Sequence, residues 1–181
     1  AMAAGWLSVR PDDTLIRRPL ADGGEGTLDV IRAVDPSGYL HRCNVTGPDG
    51  EMLTARWIHF PDDHAYMELA ECSGLPSMTT PDPIGATTRG LGELFGIARG
   101  KGVTHVTVGL GGSATTDAGL GALEALGLKV TRESGRSAGI VGVESLDASA
   151  LDAGGLEVTV LSDTMVTMAE AARVFGPQKG A

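Results

Sequence analysis

Aromatic side chains are scarce in this chain, only 4% of 181 residues, and no Lys/Arg cluster is longer than Arg17-Arg18. Formal net charge is −9. Nucleic-acid binding draws on a basic footprint and usually on stacking rings, so these two deficits exclude it. The acidic balance also means that an anionic substrate must be drawn in by local N–H groups, by Arg or Lys, or by a metal, against the global field. Cysteine is nearly absent. Cys43 and Cys72 form no CxxC unit and no disulfide framework, which points to reduced thiols and a cytoplasmic protein. A signal-peptide pattern and an apolar run of ~18 residues are both missing, so neither export nor a membrane partner is expected. His41, His59, His64 and His105 lack metal-ligand spacing such as HExxH and are expected on sheet or surface.

Glycine, by contrast, is abundant: 27 of 181 residues, against a usual ~7%. The glycines follow no collagen period. They cluster at the ends of apolar segments, where positive φ or close backbone approach is needed. The densest case is THVTVGLGGSATTDAGLGALEALG, residues 104–127. A β-branched run from Thr104 to Val108 reads as a buried strand. It breaks at Gly109, Gly111 and Gly112, passes Ser113, Thr115, Thr116 and Asp117, and resumes as an Ala/Leu-rich helix through Leu126. A strand that stops at glycines and restarts as a helix leaves bare N–H groups at a positive helix end, an anion site. No GxxxxGK[ST] P-loop is present.

Elsewhere, residues 1–7 read as a helix, Thr14–Pro19 as a strand, and ADGGEGTLDVIRAV (21–34) as a second glycine loop leading into a helix that Thr27 caps. YLHRCNVTG and EMLTARWIHF are β-prone runs joined by Pro48-Asp49-Gly50, which is hairpin chemistry. Trp57 and Phe60 belong to a strand face there, and AYMELA is a third strand. Residues 86–100 read as a helix, about 128–131 as a strand, and 131–155 as an unpatterned Gly/Ser stretch. LEVTVLSD (156–163) is a strand ending in Ser162 and Asp163. MAEAARV follows as a helix, and FGPQKGA has ligand-loop composition.

The fold expected is α/β: a doubly wound parallel-sheet domain with a smaller, mixed or antiparallel β-rich subdomain. Residues 1–40 would belong to the first domain, 41–165 to a second that holds the hairpin and the signature loop, and 166–181 to a return toward the first. The half-helix at the start and the ligand-like loop at the end suggest a part of a longer chain.

Four motifs in this order, ADGGEGT (21–27), GLGGSATTDAGLGALEALG (109–127), the strand ending Ser162-Asp163 and FGPQKGA (175–181), resemble class I glycerate kinases. The resemblance covers essentially the whole chain and implies a two-domain enzyme that uses ATP and Mg²⁺ to phosphorylate D-glycerate, with a homodimer left open. Departures are visible. Family members are longer and begin with a strand and an Asp-Ser-Phe-Lys-Gly-Ser loop that this chain lacks. Leu91 stands where a threonine is usual, and 164–173 replaces an Asn-Pro-Leu segment.

Phosphoryl transfer asks for phosphate holders, a cation site and an orienter for the attacking hydroxyl. N–H groups of Gly111, Gly112 and Ser113, with the hydroxyls of Ser113, Thr115 and Thr116, suit the phosphates. Asp22 and Asp163, each after an expected strand, are candidates for Mg²⁺ and for catalysis, with Asp117 a third carboxylate. Gly23, Gly24 and Glu25 would line the substrate side. Lys179 would pair with a phosphate or the glycerate carboxylate, and Arg89 with that carboxylate. The residues leave the base and the phosphorylated hydroxyl open. Blander readings stand beside these: Asp117 as a helix cap, Asp22 and Glu25 as dipole partners, Lys179 as a solvated charge. Two other functions remain. One is a non-catalytic relative. The other is an NAD(P)-linked oxidoreductase, since Gly109-x-Gly111-x-x-Ala114 satisfies the dinucleotide fingerprint, with Glu133 as its ribose acid.

Overall fold

The computed structural model describes residues 2–135 and 139–180. Ala1, residues 136–138 and Ala181, which fall in the expected first helix, the Gly/Ser stretch and the last motif, lie outside them. The local hairpin signal is realised in full. Strands β1 (Tyr39–Thr46) and β2 (Met52–His59) pair antiparallel from Tyr39↔His59 to Thr46↔Met52. Strand β3 (His64–Glu68) continues antiparallel to β2 and then runs parallel to β4 (His105–Gly109). Chain order then skips β5 (Lys129–Arg132) and β6 (Val143–Asp147), which pair with each other. Strand β7 (Glu157–Leu161) returns parallel to β4. The protein is therefore mixed α/β: a five-stranded sheet in the order β1-β2-β3-β4-β7 and a two-stranded antiparallel sheet. Hairpin and parallel strands share one sheet, because β3 pairs in both senses.

One face of that sheet carries the main core. Val45, Ala55, Trp57, Met67, Val106 and Val108 meet Leu91, Leu94, Phe95 and Ala98 of helix α4 (Arg89–Arg99). The α3 residues Leu69 and Cys72 (α3, Leu69–Ser73) and α5 residue Ala122 (α5, Leu120–Ala125) complete it. Met67 and Leu94 are wholly buried, each contributing ~1.5–3 kcal/mol by area bookkeeping. The opposite face is covered by helix α2 (Thr27–Val34), whose Leu28 packs on Ile58 and Tyr66. Burial of the Cys72 thiol pushes its pKa up to about 12, so it behaves as a core atom rather than a nucleophile.

Two expectations change, and the expected first helix holds. Thr14–Pro19 forms no strand; an extended run without a partner gains no ladder, and Ile16 stays 80% exposed. Helix α1 (Met2–Val9) forms but buries none of its residues. Residues 175–179 are not a loop: helix α6 (Met168–Lys179) runs through them, with Pro177 inside it and Gly180 ending it at φ 90°.

Candidate functional site

The site lies where the parallel strands end. Register places Glu68, Gly109 and Leu161 side by side at the carboxyl ends of β3, β4 and β7, the edge of an open α/β sheet where ligands gather. The two glycine loops meet there, backbone on backbone. Gly111 N–H donates to the Gly23 carbonyl at 3.2 Å, and Leu110 N–H to Leu161 at 3.3 Å. A Cβ on Gly111 would come within 2.7 Å of the Gly24 nitrogen, so only glycine permits this approach.

The first loop is tied from beneath by acceptors. The Glu68 carboxylate, 1% exposed, accepts the Gly26 N–H at 2.8 Å and the Leu28 N–H at 2.9 Å. Burial raises the Glu68 pKa, and the two N–H donors oppose that rise in part. Thr27, expected as the N-cap, is instead the first helical residue; Gly26 takes the cap position at φ 89°. The Thr27 hydroxyl oxygen accepts the Gly23 N–H at 3.0 Å. Asp22 Oδ1 accepts the Gly24 N–H at 3.0 Å, shaping its own loop. Asp22 and Glu25 remain exposed and line a cavity of about 470 Å³ with Leu20, Gly26, Thr27 and Val30.

The second loop departs from expectation in an instructive way. No helix restarts at the glycines. Helix α5 begins at Leu120, is six residues long, and has its N-terminal amides already taken. Asp117, 1% exposed, accepts the Thr88 N–H and hydroxyl at 2.8 Å each, Gly121 N–H at 3.0 Å and Gly119 N–H at 3.1 Å. Thr115 takes the Asp117 N–H at 2.9 Å and donates its hydroxyl to Ala86 at 2.8 Å. Thr116 donates both its N–H and its hydroxyl to Pro83. Read from the sequence as phosphate holders (Thr115, Thr116) and as a third carboxylate or helix cap (Asp117), these three side chains face protein partners that brace the loop. The helix-end account of the anion site is therefore corrected: α5 is not its source of positive potential.

Lys179 brings a positive charge to this loop from elsewhere in the chain. Its ammonium donates to Ser113 Oγ and to the Thr115 carbonyl, both at 2.7 Å. Half-buried, it has its pKa lowered by desolvation, with Asp117 pulling the other way. Ala114 N–H is spent on the Ser73 carbonyl at 2.8 Å. Gly112 and Ser113 N–H, by contrast, meet no acceptor among the described residues. Gly112 has φ +73°, and a Cβ there would collide with the Glu25 carboxylate, which lies over it. Two amides without an acceptor, a hydroxyl and an ammonium thus gather in the loop over which Glu25 lies.

Asp163 follows β7, exposed and unbonded among the described residues. Arg89 is not brought in: its guanidinium pairs with Glu93 at 3.2 Å, and Glu93 in turn holds the Thr46 N–H at 2.7 Å. The dinucleotide fingerprint also loses its geometry, since Ala114 sits in a bridge segment against Ser73 and Gly74 rather than in a helix. Glu68, Ser73 and Thr88 escape sequence reading. A carboxylate inside the apolar run AYMELA was the one available signal for Glu68.

The whole chain, residues 1–181, matches the glycerate kinase family. It is 36% identical to the glycerate 2-kinase of Escherichia coli K12, covering all of this chain and 51% of that protein. It is 39% identical to the glycerate kinase of Bacillus subtilis 168, covering all of this chain and 50% of that one. Among solved structures, "putative glycerate kinase 2" from Salmonella typhimurium LT2 superposes with a TM-score of 0.79 at 35% identity, over 99% of this chain and 51% of that chain. The chain spans about half the length of the curated relatives it matches. With a full-length family match and the glycine loops assembled at one end of the sheet, the chain belongs to the glycerate kinase family.

Proposed function

We propose that this chain carries the phosphoryl-transfer centre of an enzyme that moves the γ-phosphoryl group of ATP to a hydroxyl of D-glycerate. The observation that carries the reading is the Lys179 ammonium bonded to Ser113 beside the open amides of Gly112 and Ser113. Phosphoryl transfer needs positioning and charge neutralisation more than covalent help. Lys179 and the two amides would hold phosphate oxygens and stabilise charge as it spreads over them. The hydroxyl oxygen bonds to the γ-phosphorus, the bridging P–O bond breaks, ADP departs, and Asp22 or Asp163 takes the hydroxyl proton.

No group of three or more potential ligands gathers into a metal site among the described residues. Mg²⁺ in such enzymes asks for only one or two carboxylates plus phosphate oxygens. The exposed carboxylates of Asp22, Glu25 and Asp163 fit that demand, with one Asp22 oxygen already turned to Gly24. Bound there, the cation would neutralise phosphate charge. A coupled assay with D-glycerate, ATP and Mg²⁺ tests the proposal: ADP formed only when glycerate is present supports it, and ADP formation independent of glycerate, or none, defeats it.

A further inference from the structure

We infer that Glu68, together with Thr27, is a positioning residue that sets the Asp22–Gly26 loop in register with the Gly112–Ser113 amides; this rests on the function proposed above. Glu68 is a buried carboxylate that no catalytic step uses. It reaches 42 and 40 positions back along the chain to grip the Gly26 and Leu28 N–H groups. A buried acid with no ion pair among the described residues is expensive to keep, and burial raises its pKa. Apolar residues of like volume would pack the same space without that cost, but they would release the two amides. Released, Gly26 and Leu28 would no longer anchor Thr27 between them, whose hydroxyl holds the Gly23 N–H, and the Gly23 carbonyl in turn holds Gly111. Glu68 therefore acts at one remove. It governs the distance between the acidic lip, Asp22 and Glu25, and the donor lip.

The donor lip has supports of its own. Ser113 is held by Lys179, Ala114 by Ser73, and Thr115 by Ala86. Loosening the first loop should then spare phosphate binding and damage turnover. Glu68→Gln keeps shape but offers one acceptor oxygen where two N–H donors point. It should speed amide exchange at Gly26 and Leu28 at least about tenfold while Ala114 and Gly121 stay protected. It should lower kcat at least about tenfold and leave the affinity for ATP within about twofold. Thr27→Val, which unties Gly23 alone, should speed exchange at Gly23, show the same split between kcat and ATP affinity, and carries the test if Glu68→Gln fails to fold. Glu124→Gln, which breaks the 2.7 Å Arg132 pair far along the chain, serves as the control for a merely structural loss and should leave kcat unchanged. Unchanged exchange at Gly26 and Leu28 in Glu68→Gln, or turnover of either variant within twofold of the unsubstituted chain, overturns the inference alone. No glycerate-dependent turnover in the unsubstituted chain overturns the proposed function first and this inference with it.

Discussion

The two glycine loops look alike in the sequence and do opposite things in the fold. ADGGEGT is gripped by the Glu68 carboxylate, the Thr27 hydroxyl and its own Asp22, so the Gly23, Gly24 and Gly26 N–H groups are consumed, and its acids, Asp22 and Glu25, face out. GLGGS is gripped through its flanks and receives an ammonium, so it presents donors. One lip is acidic and suits a cation; the other is cationic and suits phosphate oxygens. Glycine sets how closely the loops approach, whereas the first takes its polarity from its own acids and the second from Lys179, far away in sequence. A glycine-rich turn is thus a statement about space and not yet about charge.

The comparison can be broken most severely at the donor lip. Lys179→Ala removes the full positive charge bonded to Ser113, and kcat/KM for ATP should drop by about 10²–10³, the scale of losing one preorganised donor to a developing charge. Equal activity of the two proteins would mean that the loops do not differ as described. Next comes the brace. Asp117→Asn puts an amide where four donors converge, and chemical denaturation should lose about 3 kcal/mol with an unchanged m-value. A smaller step is Ser113→Ala, which deletes one charge-assisted bond and should cost about tenfold in kcat/KM.

Protonation sharpens the same contrast. Burial lowers the Lys179 pKa below its ordinary 10.5, so the alkaline limb of kcat/KM for ATP should begin below pH 10.5. Lys179→Arg, if it supports turnover, should move that limb upward, because guanidinium stays protonated. Because the folded value lies below the unfolded one, Lys179 makes the stability rise with pH between the two, where the unfolded chain binds more protons. The least effect is expected at Asp22. Asp22→Asn still accepts the Gly24 N–H, so unfolding free energy should stay within about 0.5 kcal/mol, and any loss of turnover would report on the cation or on the proton transfer instead.

Local chemistry was the legible part. Pro48-Asp49-Gly50 fixed the hairpin, and helical spacing of Leu91, Leu94, Phe95 and Ala98 fixed α4, because both signals act within a few residues. β6 (Val143–Asp147) was missed: its pattern is mostly exposed and its partner β5 supplies the order. Thr14–Pro19 has strand composition, but a strand is a pairing, and no partner takes it up. The site divided in the same way. Gly111, Gly112, Ser113 and Lys179 were named from sequence and do converge. The helix-end reasoning that linked them failed, because Asp117 had already spent the α5 amides. Glu68 lay beyond reach, since its partners are two loop amides some forty positions away.

The central claim is that the Gly112 and Ser113 amides and the Lys179 ammonium form one anion cradle. Titrating the chain with ATP and Mg²⁺ while following backbone amides by ¹⁵N–¹H NMR tests it directly. The Gly112 and Ser113 resonances should move furthest downfield, saturably, and Lys179→Ala should abolish the movement. Saturable binding that leaves both amides in place, with shifts clustered elsewhere, would contradict it.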